Sequence, residues 1–235
     1  MGDMTSETMN GIGTHHETSL HAALKTWYAQ DGDRIEAAVD GYIIDVVRGD
    51  LLIEIQTRGF AALTAKLTAL LEGHAVRLVH PIARERWIVR VSADGEVLGR
   101  RRSPKRGRVE DVFAELVRFP ALVCHPRFAL EVLLTREEEV RCDDGLGSWR
   151  RKGWSIVDRR LLAVDESIRL DNVCDLRALL PSGLPQPFTT LDLAETLGVS
   201  RRLAQQMAYC LRKMGAIDAV GRKGRGLLYD GRGSA

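Results

Sequence analysis

Cysteine is scarce and scattered in this chain. Cys124, Cys142, Cys174 and Cys210 are its four, and no two form a Cys-x-x-Cys step. That spacing argues against a structural zinc site, whose ligands usually come in close pairs. Long apolar runs are missing too. No stretch reaches the ~18 apolar residues that mark a membrane-spanning helix, and no basic-then-apolar leader is found. The expectation is therefore a cytoplasmic protein with reduced thiols and no membrane partner. Net charge is almost absent at +2, yet it is unevenly spread. Residues 1–99 carry 9 Lys and Arg against 14 Asp and Glu, and residues 100–235 carry 25 against 18. A basic C-terminal half suits a polyanion.

The 235 residues suffice for one large domain or two small ones. Residues 1–16, with His15 and His16, read as a flexible tail. Leu20, Ala23, Leu24 and Trp27 follow the i, i+3, i+4, i+7 spacing of an amphipathic helix over 17–29. A strand at 34–39 precedes a hairpin over 41–57. Phe60, Leu63, Leu67, Leu70 and Leu71 mark a second helix at 59–72, and strands are expected at 75–80 and 87–91. This order makes residues 17–98 an α/β core. Residues 99–108, with six cations between Arg100 and Arg108, read as a basic linker. The region 109–180 gives no clear fold: 109–119 looks helical, and 129–141 fits helix or strand. Pro181, Pro185 and Pro187 mark a second linker before a unit at 185–231.

The hairpin carries the most informative pair. Only Gly49-Asp50 separates its strands, and Gly first in a two-residue loop suits a type II′ turn. That loop sets Arg48 opposite Leu51, Val47 opposite Leu52, Val46 opposite Ile53 and Asp45 opposite Glu54. Gln56 falls on the face of Glu54. Both strands are otherwise Ile, Val and Leu, which reads as a buried central hairpin. Two facing carboxylates in such a place are costly without a proton or a cation, and a hard divalent cation with oxygen ligands is the natural compensation.

A helix opening at Glu17, then Asp45, then Glu54-Ile55-Gln56, then an amphipathic helix resembles the PD-(D/E)XK, or restriction-endonuclease-like, nuclease superfamily over residues 14–92. The resemblance implies a central mixed sheet flanked by helices, with Asp45 and Glu54 holding Mg²⁺ or Mn²⁺ and Glu17 completing the shell. Two positions depart from the pattern. Ile44 stands where it has Pro, and Gln56 stands where it has the Lys that orients or activates the attacking water. Gln can hydrogen-bond a water but brings no charge. Lys66 and Lys25 are the nearby helix lysines that could replace it, though both are expected to be solvated. His21, in the helix of Glu17, is expected to pack or hydrogen-bond.

The last fifty residues resemble a winged helix-turn-helix. Thr189 and Asp192 form a capping pair for a first helix, and Ser200 caps a second. The second helix presents Arg201, Arg202, Gln205, Gln206, Tyr209, Arg212 and Lys213 to solvent, residue types that read base edges. Arg222, Lys223 and Arg225 at the tip of the following hairpin suit phosphates. Arg100, Arg101, Arg102, Lys105, Arg106 and Arg108 add a flexible polyanion-binding loop, with Trp149 and Trp154 beside a second basic run as stacking candidates. Together these imply a metal-dependent nuclease acting on nucleic acid, duplex DNA before RNA, with a homodimer as a further partner. The alternatives are a non-enzymatic DNA-binding regulator on a decayed nuclease core and an RNA-processing nuclease.

Overall fold

A computed structural model describes residues 18–149 and 153–231. The chain runs α1 (Ser19–Tyr28), β1 (Arg34–Val39), β2 (Tyr42–Arg48), β3 (Leu51–Ile55), α2 (Thr64–Gly73), β4 (Ala75–Val91) and β5 (Val97–Arg102). It continues with α3 (Phe113–Leu116), β6 (Phe128–Cys142), β7 (Ser155–Leu170), α4 (Val173–Arg177), α5 (Thr190–Leu197), α6 (Arg201–Lys213), β8 (Asp218–Lys223) and β9 (Gly226–Asp230). Short 3₁₀ turns lead into α2 and α3. No helix among the described residues is long and apolar enough to cross a membrane.

Seven strands form one mixed sheet, ordered β1-β2-β3-β4-β6-β7, with β5 also on β4. Two tight hairpins start it. Asp40 and Gly41 both have positive φ, as a type I′ turn requires, while at Gly49-Asp50 only the glycine does. The β2–β3 ladder pairs Arg48 with Leu51, Val47 with Leu52 and Val46 with Ile53, as the loop length predicts. After α2 the chain returns as β4, parallel to β3.

β4 and β6 pair in parallel from Val76 to Val91. The expected strands at 75–80 and 87–91 are thus one 17-residue strand. Because β6 takes one edge of β4 along its length, β3 and β5 must share the other: β3 pairs as far as Val79 and β5 begins at Trp87. The stretch between has a partner on one side only, where a strand tolerates Pro81.

The basic linker is corrected at Arg100, Arg101 and Arg102, which belong to β5. Arg100 stacks its guanidinium 4.1 Å from the Trp87 ring centre and pairs with Glu138 at 2.7 Å, so its cross-strand neighbours hold it in the sheet. Residues 129–141 resolve as strand, and the reason is visible in period 2. Glu137 and Glu139 turn inward, each 2% exposed, while Glu138 turns to Arg100.

Helices flank the sheet on both faces. Leu20, Leu24 and Tyr28 of α1 cover Val46, Ile53, Ile55, Val79 and Leu133 on one face. On the other, α2, α3 and the C-terminal helices pack over Ile44, Leu52, Val76, Leu78, Leu130 and Val132. Phe188, Leu193, Met207 and Leu211 belong to that same continuous core. α6 lies against α3, with Cys210 Sγ 4.0 Å from the Phe113 carbonyl.

Candidate functional site

β3 lies inside the sheet between β2 and β4, which buries every residue from Leu52 to Ile55. The hairpin register carried one step past Val46–Ile53 brings Asp45 opposite Glu54. Asp45 accepts the Ile55 amide at 2.8 Å through Oδ2. His21 Nε2 lies 3.2 Å from that same oxygen and 2.9 Å from the Ile55 carbonyl. A carbonyl can only accept, so Nε2 carries the proton and bridges the two. α1 is positioned for this by its own start, where the Ser19 amide and hydroxyl donate to the Asp158 carboxylate of β7 at 3.2 and 2.8 Å.

Glu54 is 9% exposed. Its Oε1 accepts from Lys66 Nζ at 2.6 Å, and the same ammonium donates to the Ile43 carbonyl at 2.7 Å. Its Oε2 is buried and has no hydrogen-bond partner among the described residues. Burial, and then the Asp45 charge, raise the Glu54 pKa above its usual value, against the opposing pull of Lys66.

The expectation that Lys66 and Lys25 are solvated is overturned. Lys66 reaches from the first turn of α2 to Glu54, and Lys25 is buried beside Glu36, with which it pairs. Glu36 sits opposite Asp45 in β1 with φ +51, a left-handed conformation rare for a non-glycine residue. From their helices alone both lysines read as solvated. That reading gave no sign of the carboxylates that draw them in.

Gln56 turns its amide nitrogen to its own loop, donating to the carbonyls of Arg58 and, at 3.0 Å, Gly59. Its backbone carbonyl accepts from His80 Nδ1 at 2.6 Å. Glu17 lies outside the described residues, as do Arg150, Arg151 and Lys152.

Residues 18–171, from α1 through β7, match the family described as "Domain of unknown function (DUF8091)". The chain belongs to it. An uncharacterized protein of Treponema pallidum (strain Nichols) is 37% identical over 220 residues, 93% of this chain and 86% of the relative. No solved structure matches. Asp45, Glu54, Gln56 and Lys66 all fall inside the DUF8091 segment, whereas α5, α6 and the β8–β9 hairpin lie beyond it.

In this DUF8091 chain the C-terminal elements are set by strong local signals. Thr189 and Asp192 cap α5 reciprocally, Gly198 ends it in the left-handed region at φ +64, and Ser200 caps α6. α6 buries Leu203, Met207 and Leu211 and leaves Arg201, Arg202, Gln205, Tyr209, Arg212 and Lys213 exposed, with Gln206 half-buried. Phe188 bridges to Tyr229 of β9, which ties the hairpin to the helices. Its tip exposes Arg222, Lys223 and Arg225. Among the described residues none of these cations makes a salt bridge. The 100–108 stretch differs, because Arg102 and Arg106 both reach Glu85 and Arg108 donates to the Leu197 carbonyl. Trp154 stacks with Arg90, its ring centre 4.9 Å from the guanidinium carbon.

Proposed function

We propose that this chain is a metal-dependent nuclease of the PD-(D/E)XK kind, with a C-terminal winged helix that holds duplex DNA. The observation that carries this is the buried Oε2 of Glu54, which has no hydrogen-bond partner among the described residues and lies beside Asp45 at the end of a central strand. An oxygen so placed fits a hard cation. Asp45 and Glu54 would hold Mg²⁺ or Mn²⁺. When bound, the ion supplies a Lewis acid for the phosphoryl oxygen and lowers the pKa of water.

The chain's own groups do the rest. Lys66 brings the positive charge that Gln56 lacks and pulls the Glu54 pKa downward against burial and the Asp45 charge. Gln56 fixes the loop from Arg58 to Gly59 through its amide hydrogens and keeps its side-chain oxygen for a water. His21 holds the Asp45 carboxylate and the Ile55 carbonyl in line. The exposed face of α6 is the candidate reader of base edges, and Arg222, Lys223 and Arg225 are the candidate phosphate contacts.

The Lys66–Glu54 pair also favours a second reading, a DNA-binding regulator on an inactive core, because it already neutralises one carboxylate without a metal. Incubating the pure protein with single- and double-stranded DNA and RNA, in Mg²⁺, Mn²⁺ or EDTA, separates the two. The nuclease reading expects cleavage that requires metal and is lost in Asp45→Asn. Binding to DNA without cleavage under any metal leaves the regulator.

A further inference from the structure

A cleft of about 490 Å³ opens in the gap that β3 and β5 leave along β4. Its walls are the loop after β3, the middle of β4, the segment after β5, and residues of β6 and β7. Five cations line it: Arg58, Arg86, Lys105, Arg141 and Arg159. Three acids line it as well, Asp111, Glu115 and Glu137. Each acid already accepts from the protein. Asp111 takes the Arg108 amide at 3.2 Å, Glu115 takes the Phe60 amide at 3.0 Å, and Glu137 takes the Thr135 hydroxyl at 2.7 Å and Arg86 at 3.4 Å.

The cations are left with donors to spare. Buried Glu139 stands behind them and is shared by Arg141, Arg159 and Arg86 at 2.6, 3.3 and 3.6 Å. The Nε atoms of both Arg86 and Arg159 are closed off from solvent and have no partner among the described residues, so the outer nitrogens are the ones that face the cleft. Burial, then the charges of Arg86 and Arg58, push the Arg159 guanidinium down from its usual value. Arg58 and Lys105 are exposed and, among the described residues, make no ion pair. The result is a set of guanidiniums held rigid by carboxylates from behind, with surplus positive charge facing a pocket.

We propose that this cleft binds a phosphomonoester of nucleotide size, supplied either by a free nucleotide or by the phosphorylated end of a single strand. Arginine forks match phosphate oxygens two at a time, and guanidiniums pre-set by Glu137 and Glu139 give up little freedom on binding. The volume is that of a small-molecule site, which admits one nucleotide and excludes a duplex. The site stands whether or not Asp45 and Glu54 cut, because none of its lining groups is one of those carboxylates.

The test uses the full chain in EDTA, so that no cleavage intervenes. A fluorescent single-stranded oligonucleotide bearing a 5′-phosphate is compared by anisotropy with its 5′-hydroxyl twin, with dAMP and deoxyadenosine as competitors. The expected result is about tenfold tighter binding of the phosphorylated strand, on the scale of one charge-assisted contact. Competition by dAMP but not by deoxyadenosine identifies a free nucleotide as an occupant, and phosphate-dependent binding without dAMP competition identifies the strand end. Arg58→Ala, at an exposed position, and Arg159→Gln should each abolish most of the difference. Equal affinity for the two strands together with no competition by dAMP overturns the proposal, as does a phosphate preference untouched in a folded Arg58→Ala protein.

Discussion

Lys66 Nζ stands 2.6 Å from Glu54 Oε1 and 2.7 Å from the Ile43 carbonyl, so a single ammonium ties α2 to two neighbouring strands. Both partners are mostly buried, with side chains 16% and 11% exposed. Removing one member of such a pair strands the other, at a cost of about 3–5 kcal/mol. Lys66→Met should therefore lower thermal stability sharply, and Lys66→Met with Glu54→Gln should recover most of the loss. Thermal unfolding of both variants checks this. A double variant as unstable as the single one would show that the pair contributes little.

The raised Glu54 pKa sets a direction for pH. Its ordinary value is 4.5 and burial raises it, so the folded state favours the protonated form. That contribution to stability is fully present below the unfolded pKa and is lost as pH rises through the folded one. Metal binding runs the opposite way, because the ion competes with the proton. Mn²⁺ affinity by calorimetry should fall with decreasing pH at values above the usual glutamate range. Asp45→Asn keeps an acceptor for the Ile55 amide while deleting the second-largest cause of the shift. It should lower the Glu54 pKa in a carboxyl NMR titration and abolish Mn²⁺ binding. An unchanged metal affinity in that variant would sink the assignment.

The hairpin was legible in the sequence because two-residue loops leave no freedom in register, and the three pairs from Arg48–Leu51 to Val46–Ile53 follow from Gly49-Asp50 alone. The caps at Thr189 and Ser200 were legible for the same reason, being local. Partners distant in sequence were not. Arginine in β5 reads as a linker until Trp87 and Glu138 are seen across the strands. The acidic run Glu137, Glu138 and Glu139 leaves helix and strand open until Arg86, Arg141 and Arg159 are seen around it. Lys66 could be named as a replacement for the missing lysine, but its reach to Glu54 is a property of how α2 packs.

Gly107 fixes the segment after β5 against β4. Its amide donates to the Ala83 carbonyl at 2.9 Å, and a Cβ there would come within 2.7 Å of that oxygen and 2.6 Å of the Ile82 methyl. Backbone cannot move aside as a side-chain tip can. Gly107→Ala should cost about 1–3 kcal/mol in unfolding free energy, as overpacking does. It should also weaken binding of the phosphorylated strand by shifting Lys105. Stability and affinity unchanged from wild type would mean that the segment is not held as described.

The exposed cations of α6 and of the β8–β9 hairpin divide into two expected roles, separable by salt. Each phosphate contact adds about −0.9 to the slope of log affinity against log salt for duplex DNA. Replacing Arg222, Lys223 and Arg225 with Ala should flatten that slope by up to about three units on any sequence. Stability should be kept, because all three are exposed and make no salt bridge among the described residues. Arg202→Ala or Gln205→Ala should leave the slope closer to wild type and change which sequences are preferred, since base-edge contacts carry the discrimination. The full chain is the right material, because Cys210 and Leu211 of α6 share a core with Phe113 and Leu116 of α3. Filter binding of a randomised duplex pool at several salt concentrations reads both effects. An unaltered slope in the triple variant would remove the hairpin from the nucleic-acid interface and leave its charge to a protein partner.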